Sequence, residues 1–134
     1  MNNPPPSHAL PLKSVLVVDD DEGMRTAIYN VLSPKYHVTL AIDGLDGYLR
    51  ANEKPPPDLI IADVSMPQLD GITMIRRIRE NDALRRVPVI FLTGLMSPAN
   101  VIAGLAVGTF AYLPKPPDRT VLENKVKRAL SPWN

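Results

Sequence analysis

Apolar residues fall along this chain in two alternating rhythms. The first is a short run that is apolar at every position and stops at an acid or a hydroxyl. Val15-Leu16-Val17-Val18 runs into Asp19-Asp20-Asp21, Leu59-Ile60-Ile61-Ala62 into Asp63, and Val87-Pro88-Val89-Ile90-Phe91-Leu92 into Thr93. A run without polar alternation fits a strand covered on both faces, as in a parallel sheet. Tyr36 to Ala41 and Phe110 to Leu113 add two β-prone stretches. The second rhythm is helical. Met24, Ala27, Ile28, Val31 and Leu32 recur at one-face spacing and stop at Ser33-Pro34. Leu45, Tyr48 and Leu49 mark a second helix, ended by Lys54 and a run of three prolines. Gly71 to about Asn81 predicts a third, with Ile72, Ile75 and Ile78 inward. Pro98 to about Val107 predicts a weaker fourth, which carries Gly104. Asp118 or Thr120 through Leu130 predicts a fifth, with Lys125, Lys127 and Arg128 near the end where positive charge complements the helix dipole. Five strand units alternating with five helical units predict a doubly wound α/β fold, a parallel sheet with helices on both faces.

Composition narrows the function more than the fold. The chain has 134 residues, the size of one domain, with 45% hydrophobic and 22% charged residues. It has no cysteine and two histidines, so thiolate chemistry and histidine-built metal clusters are excluded. A net charge of +1 gives no global pull toward nucleic acid or membrane. No apolar stretch approaches the roughly 18 residues of a membrane span, and the first residues do not have the layout of a signal peptide. These features predict a soluble protein of the cytoplasm. Proline is unusually frequent, at 15 residues. Pro4, Pro5, Pro6 and Pro11 lie in a stretch that precedes any periodic pattern, so residues 1–12 read as a flexible Pro-rich tail, 13–131 as the domain and 132–134 as its end.

In an open α/β sheet, ligands bind beyond the carboxyl ends of the strands. The predicted strand ends carry Asp19, Asp20 and Asp21, then Asp63, then Thr93, with Lys115 just after the last strand. Each has an ordinary structural use. Acids after a strand cap the next helix, an acid or hydroxyl suits a turn, and a loop lysine is commonly exposed. What gives them weight is that all would meet at one edge. Clustered carboxylates repel, and a hard divalent cation relieves them. An oxygen-only donor set suits Mg²⁺, Mn²⁺ or Ca²⁺ rather than zinc. With a lysine and a hydroxyl beside it, the set fits phosphoryl chemistry: acids to hold metal, one acid as nucleophile, and two groups for the phosphoryl oxygens.

The strings VLVVDDDEGMR, DLIIADVSMPQLDG, PVIFLTG and FAYLPKP, in that order and spacing, resemble the receiver domains of two-component response regulators. The resemblance covers residues 13–130. It implies a flavodoxin-like (βα)5 three-layer sandwich with strand order 2-1-3-4-5. Asp63 would be the phosphoacceptor, taking a phosphoryl group from the phosphohistidine of a sensor kinase or phosphotransfer protein. Asp19, Asp20, Asp63 and the backbone carbonyl of Ser65 would hold Mg²⁺, with Mn²⁺ as substitute. Thr93 and Lys115 would contact the phosphoryl group, and the Lys115–Pro116 peptide could be cis. Tyr112 would be the switch aromatic, turning inward as Thr93 moves. Ser65 and Leu95 would tune the access of attacking water. The fourth helix, fifth strand and fifth helix would form the surface for a downstream protein or a phosphorylation-dependent dimer, with no direct nucleic-acid or membrane contact. Enzymatic activity would be limited to the chain's own phosphorylation and dephosphorylation.

Two settings follow: a single-domain regulator, or the receiver part of a longer regulator with a DNA-binding or cyclic-nucleotide output domain. A phosphatase of the haloacid-dehalogenase type needs a second aspartate where Ser65 stands, and a flavin site needs a hydroxyl-rich loop where Asp19-Asp20-Asp21 stand. Arg76, Arg77, Arg79, Arg85 and Arg86 read as a solvated basic face, and His37 as a surface or half-buried side chain.

Overall fold

In the computed structural model, which describes residues 11–94 and 98–131, strands and helices alternate throughout. The order is β1 (Ser14–Val18), α1 (Glu22–Leu32), β2 (His37–Ala41), α2 (Gly44–Ala51), β3 (Leu59–Asp63), α3 (Gly71–Ile78), β4 (Val89–Thr93), α4 (Pro98–Ala106), β5 (Ala111–Pro114) and α5 (Arg119–Ala129). One 3₁₀ turn, Asp82–Leu84, lies between α3 and β4 and has no counterpart in the sequence expectations. All pairings are parallel, in the order β2-β1-β3-β4-β5. The tail residues 1–10 and the end 132–134 lie outside the described residues; Pro11, Leu12 and Lys13 are exposed.

The all-apolar strands are explained by two separate cores. Leu16, Val18, Ile60, Ala62 and Phe91 point to the layer of α2, α3 and α4. Val15, Val17, Leu59, Ile61, Ile90 and Leu92 point to α1 and α5. Each strand position thus removes apolar area from water on one face or the other, at roughly 25 cal/mol per Å². Four helices begin at side-chain caps. Asp21, Asp43, Asp70 and Asp118 accept from the amides of Met24, Asp46, Thr73 and Val121. Such a cap is worth about 1 kcal/mol and fixes where the chain turns from loop to helix.

Two expectations are corrected. Helix α2 does not bury Leu45 and Leu49, which are 56% and 58% exposed. Its inner face is Gly44, Gly47 and Ala51. A methyl at Gly47 would stand 2.7 Å from Met74 Sδ and 2.8 Å from Val18 Cγ1, so small residues let α2 lie close against β1 and α3. The second correction is Arg79, which follows α3 at its end. It does not belong to a solvated face. Its Nη1 donates to the carbonyls of Leu84, Arg85 and Val87, its Nε to Val107 and its Nη2 to Gly108. Burial pulls its pKa below the ordinary guanidinium value. The planar fork meets the carbonyls of two loops and ties the α3–β4 connection to the end of α4, where Gly108 turns the chain with φ 81°.

Replacing Arg79 by Met leaves those carbonyls without their donors. Urea unfolding of Arg79→Met is expected to show a loss of about 2–4 kcal/mol, with Arg79→Lys recovering only part of it because an ammonium lacks the fork.

Candidate functional site

The carboxyl ends of β1, β3, β4 and β5 form the site. Asp19 follows β1 and is fully buried, Asp63 closes β3 at 4% exposure, and Thr93 closes β4 at 3%. Register makes the first two neighbours, since Val18 pairs with Ala62 just before them. Lys115 comes one residue after β5, and its amide donates to the Thr93 carbonyl at 3.0 Å. The Lys115–Pro116 peptide is cis, as is Lys54–Pro55.

The Lys115 ammonium lies between the buried acids. Its Nζ donates to Asp63 Oδ2 at 2.8 Å and to Asp19 Oδ1 at 3.2 Å. Asp19 Oδ2 is also 3.0 Å from the ammonium, but as an ion-pair contact only: this buried oxygen receives no hydrogen bond. The second anchor of Asp19 is the Asp21 amide, which donates to Oδ1 at 2.8 Å. Arg25 donates to the Asp19 backbone carbonyl at 2.7 Å and holds the β1–α1 loop. Asp63 Oδ1 accepts from the Ser65 amide at 3.1 Å.

Electrostatics follow from this packing. Burial raises the Asp19 carboxyl above its ordinary value; the Asp21 amide and Lys115 oppose that, and the Asp63 charge adds to it. Burial alone would lower Lys115, but its bonds to Asp63 and Asp19 outweigh burial and raise it. One carboxylate oxygen from each of Asp19, Asp20 and Asp63 lies within 4.8 Å of the others, with Asp20 exposed. The lone buried Oδ2 of Asp19, the raised Asp19 and the all-oxygen donor set fit a hard divalent cation.

Of the residues expected from sequence, Asp19, Asp63 and Lys115 are in direct contact, Asp20 borders them, and Thr93 stands at the adjacent strand end. Ser65 is exposed and meets Asp63 through its amide. Tyr112 lies on β5 away from the acidic edge. Its ring is half-buried, 5.5 Å from that of Phe91 and tilted by 32°. Leu95 lies outside the described residues. The sequence reading missed two glycines that shape the loop after Asp63. A methyl at Gly71 would overlap the Asp63 carbonyl oxygen, and one at Gly44 the Leu69 carbonyl oxygen. Gly71 therefore lets α3 begin directly against the backbone of Asp63. Only its place at the start of a predicted helix hinted at that. Between them, Gln68 takes φ 70°, and the Leu69 amide bonds the Pro67 carbonyl across it at 2.8 Å.

A parallel sheet with two buried aspartates and a lysine at its carboxyl edge is the architecture of phosphoryl-signalling α/β domains. The chain belongs to the response regulator receiver domain family, whose profile matches residues 15–127. The transcriptional regulatory protein AfsQ1 of Streptomyces coelicolor is 37% identical over 120 residues, covering 89% of this chain and 52% of that protein. The alkaline phosphatase synthesis transcriptional regulatory protein PhoP of Bacillus subtilis is 34% identical over 119 residues, covering 88% and 48%. The chain thus spans about half the length of these two relatives. Among solved structures, the chemotaxis protein CheY4 of Vibrio cholerae superposes with a TM-score of 0.83 at 32% identity, covering 89% of this chain and 99% of that one.

The raised Asp19 has a sign for stability. Its folded pKa exceeds the ordinary 3.8, so the folded state holds the proton longer than the unfolded one. Stability then falls as pH rises from the unfolded value through the raised folded one. Asp19→Asn, measured without divalent cation at pH 7, is expected to raise Tm by about 3–6 °C, the scale of about 1 kcal/mol here. It is also expected to remove any Tm gain caused by Mg²⁺ in the wild type.

Proposed function

We propose that Asp63 is the phosphoacceptor of this receiver domain and that the donor is a phosphohistidine on a sensor histidine kinase or phosphotransfer protein. The observation that supports this most is the Lys115 ammonium 2.8 Å from Asp63 Oδ2. It leaves the nucleophile buried, paired with a fixed cation, and flanked by the acids of a cation site. An Asp63 carboxylate oxygen attacks phosphorus and forms the O–P bond of an acyl phosphate. The P–N bond of the donor breaks, and its electron pair stays on the imidazole. Lys115 then pairs with a phosphoryl oxygen, and the Thr93 hydroxyl donates to another.

Asp19, Asp20, Asp63 and the Ser65 carbonyl would hold Mg²⁺, which when bound offsets the charge of the carboxylates and the incoming phosphoryl oxygens. The domain turns over no external metabolite; its chemistry is its own phosphorylation and dephosphorylation. The output is a change of surface on α4, β5 and α5, where Ile102, Leu105 and Val121 are 67%, 64% and 41% exposed. That surface would contact a downstream protein or a second copy, without touching nucleic acid or membrane itself. No helix among the described residues is long and apolar enough to cross a membrane, and we place the domain in the cytoplasm. Residues 13–131 form the receiver unit. One setting is action as a single domain. The half-length match to AfsQ1 and PhoP supports the other setting, a receiver preceding a DNA-binding output domain.

Incubation with Mg²⁺ and acetyl phosphate, read by intact mass, is expected to add one phosphoryl group to the wild type and none to Asp63→Asn. Equal labelling of both, or a wild type that takes up none, contradicts the assignment.

A further inference from the structure

Helix α4 contains a buried glycine whose missing side chain is occupied. A methyl at Gly104 would overlap the Tyr112 hydroxyl oxygen and stand 2.6 Å from Cζ and 2.9 Å from Cε2. The tip of the Tyr112 ring therefore sits in a notch on the helix. Two polar groups close that notch. Thr109 Oγ1 donates to the Gly104 carbonyl at 2.7 Å, and the Tyr112 hydroxyl hydrogen-bonds with the Thr109 side chain and the Gly104 backbone. The other end of the ring rests against Phe91. The turn that carries Thr109 is itself fixed. The Thr109 amide returns to the Gly104 carbonyl at 3.2 Å, and Arg79 holds the carbonyls of Val107 and Gly108.

We infer that Gly104 and Thr109 are the positioning residues for Tyr112: they form a seat for its hydroxyl that locks β5 to the C-terminal half of α4, so that the ring and this part of the helix move together. Neither residue touches the acidic pocket. The seat stands on packing and hydrogen bonds, and only its use as a signalling device rests on the proposed phosphorylation of Asp63. An ordinary helical glycine gains stability when replaced by alanine. An occupied notch reverses that sign, because the methyl and the ring need the same space.

A double-variant cycle tests the seat in the full chain. Gly104→Ala is expected to lower Tm by about 3–6 °C in the wild type and to raise it, or leave it unchanged, in a Tyr112→Ala background. NMR of the tyrosine rings gives a readout that general destabilisation does not move. In Gly104→Ala, the Tyr112 ring signals should lose the Phe91 ring-current shift while those of Tyr29, Tyr36 and Tyr48 stay in place. Thr109→Val should lower Tm in the wild type and cost less in a Tyr112→Phe background, which covers the case in which Gly104→Ala does not fold. Gly104→Ala raising Tm equally in both backgrounds, unchanged Tyr112 signals, or a Thr109→Val cost independent of the tyrosine hydroxyl would each overturn the inference. Acetyl phosphate labelling of Gly104→Ala separates the two levels of the account. Labelling equal to the wild type, with Tyr112 displaced, confirms that the seat is independent of the pocket; loss of labelling would show that it is not. Absence of labelling in the wild type itself counts against Asp63 and leaves the cycle readable.

Discussion

The site depends on one cation. Asp19 and Asp63 are buried side by side because β1 and β3 are neighbours, and two carboxylates that close together cannot both stay charged without help. Lys115 supplies it from β5, two strands away from β3 or about 10 Å at the usual strand spacing. A long, flexible side chain is needed to cross that gap, and cis Pro116 follows directly after it in the chain. The balance is incomplete, since Asp19 Oδ2 keeps an ion-pair contact but no hydrogen bond. On the proposed function, this unbonded oxygen is the one that a divalent cation would take.

Sheet order joins the acidic edge to the face formed by β5 and α4. Thr93 ends β4 between the strand that carries Asp63 and the strand that leads to Lys115, and its carbonyl is bonded to the Lys115 amide. Three residues earlier, β5 presents Tyr112 to the notch on α4. Arg79 grips the far end of the same helix through Val107 and Gly108. The acidic edge, the fifth strand and the exposed apolar side of α4 are thus joined through backbone bonds and a single aromatic ring.

Much of this was legible in the sequence because the fold makes strict demands on it. Strands covered on both faces must be apolar at every position, so β1, β3 and β4 stood out, and the polar residues that ended them meet at the candidate site. The misreadings share a physical origin. Helix α2 was read from its large apolar residues, but close packing against Val18 and Met74 selects for small ones, and Leu45 and Leu49 were left outside. Arg79 was read with its basic neighbours, although its partners are carbonyls of residues up to 29 positions away, which no local pattern encodes. The roles of Gly71 and Gly104 lie in the space that a missing methyl leaves for the Asp63 carbonyl and the Tyr112 ring, and only three-dimensional packing reveals that space.

On the proposed function, the carboxylate held by Lys115 is the one that takes the phosphoryl group. Borohydride reduces an acyl phosphate to the alcohol, so treating the acetyl-phosphate-labelled chain with borohydride marks the acceptor permanently as homoserine. Peptide mapping by mass spectrometry is predicted to find homoserine at position 63 alone. Homoserine at position 19, 20 or 58, or at no position in a chain that carries the phosphoryl mass, would contradict the account.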